Sequence, residues 1–126
     1  MCPASVLVIE DEFVIALEMM NILSDGGFQV LGPAGNVATA LRLVAAHQPS
    51  AALVDNNLNG KSAGPVAAAL CERGIPFAFV TGQGRANLPP EFARWPLIQK
   101  PFDRTRLVAA VHRLLQDGPE PECDAV

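Results

Sequence analysis

Acids, a hydroxyl and an ammonium stand directly behind short apolar runs in this chain. Glu10, Asp11 and Glu12 follow residues 6–9, Asp55 follows residues 51–54, Thr81 follows residues 77–80, and Lys100-Pro101 follows residues 96–99. Were two such carboxylates to meet about 4 Å apart, they would repel by roughly 4 kcal/mol at an effective dielectric of 20 and would not stay ionised together unaided. A hard divalent cation with oxygen ligands removes that conflict, and Mg²⁺ suits a site of few carboxylates, a carbonyl and several waters. Lys100 adds a second, fixed positive charge. A carboxylate held between a cation and an ammonium is poised to attack phosphorus, because both charges stabilise the equatorial oxygens of a transferring phosphoryl group. The Thr81 hydroxyl can bond one of those oxygens.

These residues can meet only if the elements before them lie side by side. Residues 6–9, 28–31, 51–54 and 77–80 are short apolar runs, and 96–99 is a weaker one. Continuous apolarity over so few residues predicts strands buried on both faces. Between them runs a 3.6-residue period. Phe13, Ala16, Leu17, Met20 and Leu23 make one stripe, closed by Asp25-Gly26-Gly27. Val37, Ala40, Leu41, Val44 and Ala45 follow the candidate cap Asn36, and Leu107, Ala110, Val111 and Leu114 follow Asp103. Val66, Ala69 and Leu70 form a shorter stripe between Pro65 and Gly74. After Thr81, Gly82, Gly84, Pro89 and Pro90 predict an irregular connection with at most a short fourth helix.

Alternating strands and helices predict an α/β, flavodoxin-like, doubly wound five-stranded parallel sheet of order 2-1-3-4-5. The expected domain covers residues 1–115, with 116–126 as a flexible C-terminal tail. In such sheets ligands bind beyond the carboxyl ends of the strands, where the strand order reverses. That rim is where the acids, Thr81 and Lys100 fall.

Composition narrows the function classes. The chain has 126 residues, enough for one domain, of which 50% are apolar and 17% charged. A net charge of −4 and no Lys/Arg cluster argue against a nucleic-acid surface. Cys2, Cys71 and Cys123 are odd in number and far apart, which fits a reducing cytoplasm better than a disulfide framework and gives Cys71 the role of a small core or subsurface hydrophobe. Acids interrupt the first apolar run, so no signal peptide is expected, nor any membrane insertion. The expectation is a soluble cytoplasmic protein.

Taken together, Glu10-Asp11, Asp55, Thr81 and Lys100-Pro101 resemble the signature of the bacterial response-regulator receiver family, of which the chemotaxis receivers are the familiar kind, over about residues 5–115. The resemblance implies Asp55 as phosphoacceptor. It implies Mg²⁺ bound directly by Asp11 and Asp55, by Glu10 through water, and by the backbone carbonyl of Asn57. Thr81 and Lys100 would hold the phosphoryl oxygens, and Pro101 would follow a cis peptide bond. The implied donor is a histidine kinase or histidine phosphotransfer protein, in a two-component system or phosphorelay. Readout by an unidentified downstream protein is implied too, since no output domain is apparent. Residues 76–82 and Gln99-Lys-Pro-Phe102 are similar to a single-domain subgroup carrying Phe-Ala-Thr-Gly-x-Tyr, paired with kinases of the HWE or HisKA2 type; here Val80 replaces the Ala and Gly84 the Tyr. The family usually has an aromatic residue three before the lysine, where this chain has Leu97. Without that half of the switch, ordering of residues 82–90 on phosphorylation is the expected substitute.

Singly, each residue has a plainer account. Asp11 and Glu12 suit a helix N-terminus, and Asp55-Asn56-Asn57 suits a turn. His47 and His112 are expected to be solvated, and Trp95 to serve packing. Met19, Met20 and Ile22 widen the apolar face of the first helix, either as core or as a docking surface for a kinase helix bundle that Val108 and Leu115 could extend. Two other functions compete with a receiver that is not a conventional turnover enzyme. An aspartyl-phosphate phosphatase would normally carry its nucleophile after the first strand, and a receiver-like scaffold would have lost reactive side chains that this chain keeps.

Overall fold

A computed structural model describes residues 4–82 and 95–118. In chain order the elements are β1 (Ser5–Ile9), α1 (Phe13–Asp25), β2 (Gln29–Ala34), α2 (Val37–His47), β3 (Ala51–Asp55), β4 (Asn57–Leu58), β5 (Lys61–Ser62), α3 (Gly64–Glu72), β6 (Phe77–Thr81), β7 (Leu97–Gln99) and α4 (Arg104–Asp117). Five strands form one parallel sheet ordered β2-β1-β3-β6-β7. With the small β4–β5 hairpin set aside, this is the 2-1-3-4-5 order of a flavodoxin-like sheet. The predicted irregular connection with a short fourth helix, and the proposed ordering of 82–90, fall largely outside the described residues. So does the tail from residue 119 onward, while α4 itself continues to Asp117.

Each strand of the central sheet feeds two cores, because successive side chains point to opposite faces. Leu7, Ile9, Ala52, Val54, Phe77 and Phe79 pack on one side against residues of α2 and α3. Val6, Val8, Ala51, Leu53, Ala78 and Val80 pack on the other against α1 and α4. Trp95 stacks at a tilt on Phe77 with ring centres 5.2 Å apart, a packing role. The capping assignments hold: Thr39 N–H donates to Asn36 Oδ1 at 2.8 Å, and Arg106 N–H to Asp103 Oδ1 at 2.7 Å.

Several expectations need correction. In α1 the buried residues are Ala16, Met19, Ile22 and Leu23, while Phe13, Val14 and Leu17 are 69%, 77% and 46% exposed. A helix apolar on most sides gives its periodicity no unique phase, and contacts with the sheet and α4 decide which stripe goes inward. Met19 and Ile22 are therefore core. The second strand does not stop before Gly32-Pro33 but runs through it, with a register shift opposite Leu7–Ile9. An edge strand tolerates this, since the proline's missing N–H breaks no inner ladder. Cys71 packs partly buried against the core beside α2 and α3, as expected, but it is disulfide-bonded, against the expectation of reduced cysteines. His112 is exposed, as expected, but its ring lies against Phe28 at 5.2 Å.

Gly32 explains how the edge strand passes so close to β1. Its φ is +102°, and a Cβ there would lie 2.8 Å from the Val8 carbonyl oxygen. Gly32→Ala is expected to cost about 2–3 kcal/mol, through both the backbone conformation and the clash. Urea unfolding of the two proteins checks it, and a cost under half a kcal/mol would show that β2 simply moves away.

Candidate functional site

Register brings the strand ends level. Ile9 lies beside Val54, Asp55 beside Val80, and Thr81 beside Gln99. The residues that end or follow β1, β3, β6 and β7 therefore share one rim. Glu10 N–H donates to the Ala34 carbonyl at 2.9 Å, and Lys100 N–H to the Thr81 carbonyl at 2.7 Å, which fixes the backbone on either side. The Lys100–Pro101 peptide bond is cis.

The side chains converge. Glu10, Asp11 and Asp55 each offer a carboxylate oxygen, and these atoms lie within 4.8 Å of one another. Glu10 and Asp55 are buried, 2% and 7% exposed, although both are acids. Lys100 Nζ lies 3.2 and 3.1 Å from the two oxygens of Glu10 and 3.5 Å from Asp55 Oδ2. Thr81 is buried and lines the same open cleft as Asp11, Glu12, Asp55, Asn56, Gly60 and Lys100. Asn57 stands at the start of β4, paired with Ser62. Leu97 begins β7, half-buried and packed on the Phe77 side of the sheet.

The electrostatics follow from that crowding. Burial, then the hydrogen bond and negative charge of Asp55, push the Glu10 carboxyl up to about 7, against the opposing pull of Lys100. Burial would lower the Lys100 ammonium, yet the charges of Asp55 and Glu10 outweigh it and raise its pKa. Glu10 Oε2 is buried and, despite the nearby ammonium, accepts no hydrogen bond of good geometry. Clustered oxygen donors with such an atom among them fit a hard dication, so the cleft can hold a metal ion. A carboxyl whose folded pKa is raised favours folding fully below its unfolded value near 4.5, and that contribution is lost as pH rises through about 7. In a chelating buffer Glu10 is therefore expected to make the protein less stable at pH 8 than at pH 5, by on the order of 2 kcal/mol. Denaturant titrations of the protein and Glu10→Gln at both pH values check this; the same pH slope in both would refute it.

The β4–β5 hairpin is the part of the site that pattern reading missed. Asn59 and Gly60 both have positive φ, 55° and 82°, between the pairs Leu58–Lys61 and Asn57–Ser62. That is the conformation of a two-residue type I′ turn, and Asn-Gly is its strongest sequence signal. The dipeptide was legible, but flanking strands of two residues each gave no alternation to announce a hairpin. Its turn reaches back to the site, where Asn59 N–H donates to Asp11 Oδ2 at 3.1 Å.

A doubly wound sheet with a lysine-braced acidic cleft at the switch point defines a class of small α/β signalling domains, and comparison with known proteins narrows it. No family model matches the chain. SdrG from Sphingomonas melonis Fr1, solved in solution, is 35% identical with a TM-score of 0.79, over 90% of this chain and 97% of that one. SdrG has also been solved in a BeF3-activated conformation. The receiver domain of NtrX from Brucella abortus, 24% identical, shares the fold at a TM-score of 0.79 over 88% of this chain and 98% of that one. The transcriptional regulatory protein PdtaR of Mycobacterium tuberculosis is 26% identical over 114 residues, 86% of this chain. The chain spans about half, 55%, of that curated relative's length. This chain belongs to the response-regulator receiver family. Among the described residues no helix is long and apolar enough to cross a membrane.

Proposed function

We propose that this chain is the phosphoacceptor of a two-component system or phosphorelay, taking a phosphoryl group from the phosphohistidine of a histidine kinase or histidine phosphotransfer protein onto Asp55. The observation that carries the reading is the meeting of Glu10, Asp11 and Asp55 within 4.8 Å, with the Lys100 ammonium 3.5 Å from Asp55. Asp55 attacks phosphorus through a carboxylate oxygen; the O–P bond forms as the N–P bond breaks, and the imidazole leaves with its electron pair and takes up a proton. Lys100 balances charge on the transferred oxygens, and the Thr81 hydroxyl donates to one of them. Asp11, Asp55, the Asn57 carbonyl and, through water, Glu10 would hold Mg²⁺, which when bound supplies positive charge against the phosphoryl oxygens. Water later cleaves the acyl phosphate and returns the carboxylate. Uptake is thus stoichiometric and its loss slow, in contrast to the turnover of an enzyme acting on many phosphomonoesters.

The exposed apolar residues Phe13, Val14 and Leu17 of α1, which begins directly after the cleft residues Asp11 and Glu12, support docking of a partner helix bundle. Phe79-Val-Thr-Gly82 and Gln99-Lys-Pro-Phe102 support a donor kinase of the HWE or HisKA2 type. The phosphorylated form signals by binding a downstream protein. A phosphotransfer screen against purified histidine kinases tests the reading: one kinase is expected to pass its label to this chain within seconds to minutes. Val14→Asp is expected to slow that transfer by about tenfold, while uptake from a small acyl phosphate stays unchanged. Equal slowing of both would place Val14 in the chemistry and not in docking.

A further inference from the structure

Asp11 is the most exposed member of the acid cluster, and carboxylates at a rim rotate freely unless something holds them. What holds this one comes from a turn 48 residues further along the chain. Asn59 N–H donates to Asp11 Oδ2 at 3.1 Å, and Asn59 Nδ2–H donates to the Gly35 carbonyl at 3.2 Å. Gly35 itself faces the Asp11 Cα and the Glu10 carbonyl, each 4.0 Å from where a Gly35 Cβ would stand. One residue therefore joins the loops after β1, β2 and β3. It can do so because its φ of 55° turns backbone and side-chain donors toward the rim together, and asparagine is among the few residues that adopt that conformation readily.

We propose that Asn59 is a positioning residue for the cation site: its backbone amide fixes the Asp11 carboxylate, and its side-chain amide fixes the turn by clasping Gly35. The inference rests on reading the acids as a dication site. A donor on one carboxylate oxygen sets the plane of the group and presents the other to the neighbouring acids, the way outer partners orient metal ligands elsewhere. Losing such a partner typically costs 10–100-fold in metal affinity. Here the backbone donor survives side-chain truncation, so roughly three- to tenfold is expected.

Asn59→Gly keeps both the N–H and access to positive φ, and removes only the clasp on Gly35. Calorimetric titration with Mg²⁺ is expected to give an affinity roughly three- to tenfold weaker than for the unaltered protein, with an unchanged thermal midpoint in chelator. Unchanged affinity would overturn the inference. An unaltered protein that binds no Mg²⁺ would instead overturn the reading of the cluster. Should the variant unfold, the unaltered protein still decides. Its Asn59 amide resonance, followed by nuclear magnetic resonance, is expected to shift during Mg²⁺ titration and on Asp11→Asn, and a stationary resonance in both overturns the assignment.

Discussion

Asp55→Asn is expected to abolish phosphoryl uptake. Incubated with Mg²⁺ and a small acyl-phosphate donor, the unaltered protein gains one phosphoryl group by intact mass and the variant gains none. The amide is nearly isosteric with the carboxylate, and it fills the same buried position beside Lys100. It is not a nucleophile at phosphorus, and it removes one negative charge from the cluster that raises Glu10. The variant should therefore fold as well as the parent or better in chelator, which separates loss of chemistry from loss of structure. Uptake that persists would mean that another side chain takes the group.

Lys100→Ala carries the second large effect. The ammonium lies within 3.5 Å of both Glu10 and Asp55, and its own raised pKa shows how strongly their charges hold it. Without it the transferred oxygens lose a fixed positive partner, and uptake from the acyl phosphate is expected to slow by roughly 10²–10³-fold. Stability should respond in a pH-dependent way. Lys100 opposes the rise of the Glu10 pKa, so its removal drives Glu10 further toward the neutral acid. In chelator the loss of stability against the parent is expected to be larger at pH 8, where Glu10 carries more charge, than at pH 5.5. A loss independent of pH would point to missing packing by the lysine stem instead.

Much of this was readable from residue types because the site is written at strand ends. Continuous apolar runs fixed where β1, β3 and β6 stop, and parallel pairing makes those stops neighbours. Asn36 and Asp103 announced their helices because a cap is a local event, involving one side chain and an amide three residues on. What was not readable depended on tertiary choice. Phe13 and Leu17 look inward by period, yet Met19 and Ile22 take the core, since a helix apolar nearly all round leaves its orientation to its neighbours. Gly32-Pro33 looked like the end of a strand, but an edge position let β2 continue through it. The reach of Asn59 to Asp11 and Gly35 had no sequence signal beyond the turn itself. Such contacts across 48 and 24 residues exist only once three loops are assembled.

Locating the phosphoryl group chemically is the most direct test of the central claim. After incubation with the acyl phosphate in Mg²⁺ or in chelator, borohydride reduction converts an aspartyl phosphate to homoserine, and peptide mapping gives its position. The expected result is homoserine at position 55 in the Mg²⁺ sample and unmodified aspartate in chelator. Modification at His47 or His112, or equal modification of Asp55 with and without the cation, would contradict it.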